Sequence, residues 1–126
     1  MRIGITLGLL LALGMPAMAH HSFEAEYDGS RTVTLTGIVT KVDWVNPHAY
    51  IFVTTKDDAG APKEMRIELG PPYALVRGGW KKDTVKIGDK ITVEGAAMAK
   101  DPRNNWVGSM PTTFLLLGNG GKLPMR

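Results

Sequence analysis

A chain of 126 residues has room for one ordinary domain and no second. With 44% hydrophobic residues it is neither a disordered tail nor a protein of several membrane spans. The formal charge is +3, and removing Arg2 with a leader leaves 14 basic residues against 12 acidic ones, a charge of +2. That is too little for an electrostatic footprint on nucleic acid. No cysteine is present, which excludes a disulfide framework, a Cys-based zinc knuckle, an iron–sulfur cluster, a thiol nucleophile and a lipidated Cys anchor.

Residues 1–19 read as a secretory signal peptide. Arg2 supplies the positive start, and Ile3 to Leu13 is an apolar run shorter than the roughly 20 residues that cross a bilayer. Pro16 breaks any helix, and Ala17-Met18-Ala19 gives small residues where a signal peptidase reads. Cleavage after Ala19 releases one domain, residues 20–126, into the periplasm or beyond with no membrane anchor. Its first residues are His20-His21-Ser22-Phe23.

Residues 24–31 are polar and turn-rich, which predicts an extended lead-in ending in a turn. Thr32 to Trp44 predicts a long first strand. Val33 and Leu35 share one face, while Ile38, Val42 and Trp44 share the next, so the pattern slips at Gly37 as at a bulge. Ala49 to Thr55 predicts a second strand, Asp57 to Gly60 a hairpin turn and Glu64 to Leu69 a third strand,. Pro72 opens a short helix over Tyr73 to Arg77, and Gly78-Gly79 stops it,. Ile91 to Ala96 predicts a fourth strand and Trp106 to Leu117 a fifth, with Gly118 to Gly121 a flexible end. Three strands, a short helix and two strands is the order of an OB-fold, a five-stranded Greek-key β-barrel of the all-β class.

All three histidines stand at informative places. His20 and His21 are the first mature residues, and His48 follows Asn46-Pro47 between the first two strands. An N-terminal histidine carries an α-amino nitrogen and an imidazole that chelate one metal together. Their ordinary pKa values, about 7.7–8.0 and about 6.5, free both near neutral pH. His21 adds an imidazole, and His48 completes a site of the histidine-brace kind. Nitrogen-rich, tetragonal sites suit Cu(II), with zinc and nickel behind. Residues 20–31 extend to at most roughly 40 Å, more than the roughly 25–30 Å width of such a barrel. Glu24, Glu26 and Asp28 read first as a solvated acidic stretch and second as a carboxylate ligand or support.

Trp44, Tyr50 and Trp106 are the candidate ligand surface of a metal-free module, since OB-folds bind ligands across strands two and three. Lys81, Lys82, Lys86 and Lys90 are interleaved with Asp83 and Asp89, which argues against a nucleic-acid groove. Neither His-Glu-x-x-His nor Gly-x-Ser-x-Gly occurs, and no catalytic residue stands out.

His-His-Ser-Phe at 20–23, Leu35-Thr36-Gly37, Trp44-Val45-Asn46-Pro47-His48, Gly70-Pro71-Pro72 and Gly79-Trp80 resemble a family of small exported bacterial proteins known as a domain of unknown function. The resemblance spans nearly the whole mature chain and implies export and a small β-barrel, with no activity or site residues to carry over. The sequence therefore predicts an exported binding module that holds copper through His20, His21 and His48. The alternatives are a metal-free module for a peptide, glycan or partner protein, and a histidine-brace copper oxidase or oxygenase.

Overall fold

The computed structural model describes residues 22–126, so the expected leader, its cleavage point, His20 and His21 lie outside the described residues. Seven strands form one sheet. They are β1 (Tyr27–Asp43), β2 (Tyr50–Lys56), β3 (Pro62–Glu68), β4 (Lys90–Ala99), β5 (Trp106–Gly108), β6 (Phe114–Leu116) and β7 (Lys122–Pro124), with a helix α1 (Pro72–Arg77) between β3 and β4. The sheet order is β1-β2-β3-β5-β4-β6-β7, and an added β1–β4 pairing closes the first five strands into a barrel. β3 and β5 run parallel while the other pairs are antiparallel. This is the closed five-strand barrel of an OB-like fold, with β6 and β7 appended to β4.

The core lies where the pleat predicts. Ile51 and Val53 of β2, Ile67 of β3 and Val93 of β4 face inward and are buried, and each such side chain contributes about 1.5–3 kcal/mol. Leu75 of α1 is buried in the same core. A six-residue helix is marginal alone, and this one is fixed by its packing and by Pro72 at its start. Trp80 follows, buried, its indole N–H donating to the Pro124 carbonyl at 2.7 Å.

The first strand slips, but not where the sequence suggests. Inward parity runs from Val33 and Leu35 straight through Gly37 to Val39, which is buried, while Ile38 is 44% exposed. The register shift falls between Val39 and Lys41, which returns Val42 and Trp44 to the core side. A second irregularity sits opposite Thr34, where β4 carries one extra residue at Gly95, φ +76°, as in a glycine bulge.

Other differences have local causes. Residues 22–26 are helical rather than extended, and β1 begins at Tyr27. The expected turn survives inside β1 as a bulge over 29–31, where Asp28 accepts from the Ser30 backbone N–H at 3.0 Å. The expected fifth strand is split into β5 and β6 around Pro111, with Thr113 Oγ1 accepting from the Met110 N–H at 2.7 Å and donating to the Gly95 carbonyl at 2.9 Å. The glycine-rich segment 118–121 is a hairpin turn into β7, because Leu123 and Met125 pack back onto the barrel. Among the described residues, no helix is long and apolar enough to cross a membrane.

Candidate functional site

His48 owes its surroundings to the β2–β3 hairpin. The turn over Asp57 to Gly60, closed by Asp57 accepting from the Ala59 and Ala61 backbone N–H groups, fixes Lys56 opposite Pro62 and therefore Tyr50 opposite Glu68. The ladder continues past β2, since the Ala49 N–H donates to the Gly70 carbonyl and the Leu69 N–H to the Ala49 carbonyl. His48 and Tyr50 share the outward face, so His48 is the diagonal neighbour of Glu68, a separation that long side chains bridge. His48 Nδ1 lies 2.8 Å from Glu68 Oε1. The ring is 26% exposed, but Nδ1 itself is buried and makes no hydrogen bond among the described residues, so its approach to Glu68 is a close polar contact without an aligned N–H···O bond.

Glu68 is buried although it faces outward, because β1 and β5 cover it. Gly108 of β5 stands opposite Glu68, and a methyl group there would sit 2.9 Å from the rings of both Phe23 and Tyr27. The bare backbone lets these two rings, whose centroids are 4.9 Å apart, lie over the strand. The Tyr27 hydroxyl then donates to Glu68 Oε2 at 2.6 Å. Burial, and then the hydrogen bond to Glu68, push the Tyr27 phenol well above the ordinary tyrosine range. Burial and the Glu68 charge also raise Tyr50.

Arg66 completes the group. Its Nη2 donates to the Tyr27 oxygen at 3.3 Å, and its guanidinium lies 3.8 Å from the Trp106 ring centroid and 5.1 Å from that of Tyr50. These are cation–π distances. Arg66 Nε is buried with no partner among the described residues.

Of the sequence-predicted residues, His48 is thus built into a polar cluster at one end of the barrel. Tyr50 and Trp106 are half-buried and share the cover of Arg66, and Trp106 also borders a cleft of about 480 Å³. Trp44 lies elsewhere, half-buried, 6.3 Å from Trp80 and packed on the core. Glu26 and Asp28 do not join the His48 contacts; Asp28 is held below the usual carboxylate range by its hydrogen bonds from Ser30. Glu68, Tyr27 and Arg66 were missed as site residues. The hairpin register alone identifies Glu68, whereas Tyr27 and Arg66 need the β1 and β5 packing. Among the described residues, no three His, Cys, Asp or Glu side chains are grouped to hold a metal ion.

Chemically, an ionised carboxylate only accepts hydrogen bonds. A nitrogen lone pair 2.8 Å from Glu68 would be repelled, which favours the tautomer of the neutral ring that carries its proton on Nδ1. Imidazoles that bind metals commonly donate their second nitrogen to a carboxylate; here the two atoms are close but the N–H is not aligned with the oxygen.

The sequence pattern of DUF6152, a family of unknown function, matches residues 8–106. No curated protein and no solved structure matches.

Proposed function

Because the chain belongs to the DUF6152 family, whose function is unknown, we propose a function from the site itself. The protein is an exported copper-binding module whose ligands are the amine and imidazole of His20, the imidazole of His21 and Nε2 of His48. The observation that carries this reading is the 2.8 Å approach of His48 Nδ1 to Glu68, which leaves Nε2 as the nitrogen available to a metal. Two further points support it. Tyr27, on the same carboxylate, is seven residues from His20, so the N-terminal ligands are tethered within about 25 Å of the cluster even when fully extended. An imidazole donor set fits Cu(II) better than zinc or nickel.

The test is a Cu(II) titration of the secreted protein, after intact mass has established its first residue. Loss of an outer-shell support typically costs about 10–100-fold in metal affinity, so His48→Ala and one extra residue before His20 should each cost at least that. Equal binding by both altered proteins refutes the reading. A metal-free module predicts instead that Trp106→Ala abolishes ligand capture in the neighbouring cleft while the histidine changes do nothing. An oxidase of the brace type predicts copper-dependent oxidation when a reductant is supplied.

A further inference from the structure

We propose that Glu68 and Tyr27 are the positioning residues of this site. A single carboxylate sets one oxygen 2.8 Å from the loop histidine, close enough to bias its proton, and binds the head of β1 with the other. The metal half of this proposal rests on the copper reading; the half concerning the imidazole proton stands without it.

The two arms are on the page. Glu68 Oε1 faces His48 Nδ1 at 2.8 Å and Oε2 receives the Tyr27 hydroxyl at 2.6 Å. Tyr27 in turn accepts from Arg66 at 3.3 Å. The donors thus run one way, from Arg66 to Tyr27 to Glu68, with His48 arriving at the free oxygen. Neither oxygen has a donor of its own to offer, so the group as a whole dictates which ring nitrogen bears hydrogen. It also sets distance. The two oxygens belong to one rigid carboxylate, so the phenol at the head of β1 and the loop imidazole are held a few ångströms apart. The segment leading to His21 and His20 leaves from that head, with residues 22–26 helical.

Glutamine at 68 tests the directionality, because it has nearly the shape of glutamate but one donor and one acceptor end. It cannot present an acceptor oxygen to both His48 and Tyr27, as the carboxylate does. If its NH2 turns to His48, Nδ1 must become the acceptor and the proton moves to Nε2, where it blocks a metal.

The first experiment is metal-free. Nitrogen-15 NMR of the His48 imidazole should show the Nδ1–H form in the native protein and in Glu68→Asp, and a shift toward the Nε2–H form in Glu68→Gln. The second uses Cu(II) and pulsed EPR to count coordinated imidazoles. The native protein should show three, and Glu68→Gln and Tyr27→Phe should lose the His48 signal or bind about 10–100-fold more weakly. An Nε2–H form in the native protein, or an unchanged proton position in Glu68→Gln, overturns the proposal. Three imidazoles and undiminished affinity in both variants overturn it while leaving the copper reading intact. The predicted proton positions without any third imidazole in the native protein support the positioning role and defeat the copper ligand set.

Discussion

Replacing Tyr27 with phenylalanine removes one oxygen that bonds both Glu68 and Arg66. The ring, its stacking on Phe23 and its seat on Gly108 are kept, so the apolar contribution is nearly unchanged. What is lost is a 2.6 Å hydrogen bond to a buried carboxylate, together with the acceptor for Arg66. Hydrogen bonds to charged groups contribute about 1.5–3 kcal/mol, and a charged acceptor left unsatisfied adds to the loss; about 2–3 kcal/mol is expected at pH 7. With an m-value of about 2 kcal/mol/M, urea unfolding should move down by roughly 1 M. The pH dependence gives an independent reading. The folded phenol titrates well above the ordinary value, while in the unfolded chain it titrates near about 10. Above that pH the unfolded state releases a proton that the folded state retains, so native stability falls as pH rises. The phenylalanine variant has no such group, and the gap between the two proteins should be constant from about pH 7 to about pH 10 and narrow above it. A midpoint shift below about 0.3 M, or parallel curves to pH 11, would refute the assigned bond.

Gly108→Ala should be worse than an ordinary surface change, because its methyl would meet two rings at 2.9 Å. Overpacking of this kind costs about 1–3 kcal/mol, read as a lower urea midpoint, with an altered near-ultraviolet signal from the displaced Tyr27. Thr113→Val keeps shape but leaves the Met110 N–H and the Gly95 carbonyl without their buried partner. It should cost about 1–3 kcal/mol by the same assay, and should speed amide exchange at Met110.

The barrel was legible because its first three strands and helix carry strong local signals. Met65, Ile67 and Leu69 alternate, Pro72 and Gly78 bracket the helix, and the Asp57 turn closes the hairpin. The ends were not legible, because tertiary contacts decide them. Nothing in Gly118-Asn119-Gly120-Gly121 says that Leu123 and Met125 will return to the core, and Pro111 alone does not say that β5 stops at Gly108. In β1 the sequence pattern puts the slip at Gly37, but Val39 continues the inward parity and the irregularity falls at Thr40. In the site, His48 stood out by its rarity and its loop, while its partners were hidden by ordinariness. A glutamate and an arginine on the outer face of a strand look like solvated residues until β5 and the head of β1 cover them.

The meeting of His48 and Glu68 is written in the length of a loop neither of them touches. Five residues separate Lys56 from Pro62, and that count decides which strand positions stand side by side. Since side chains alternate at every step, a one-residue slip of β3 against β2 would turn Glu68 inward and leave the histidine beside an apolar neighbour. A slip of two would preserve the faces but slide the carboxylate one rung away. A distant hairpin tip is therefore the measuring stick of this cluster, and relatives that keep both residues should be less free to vary its length than an exposed loop would suggest.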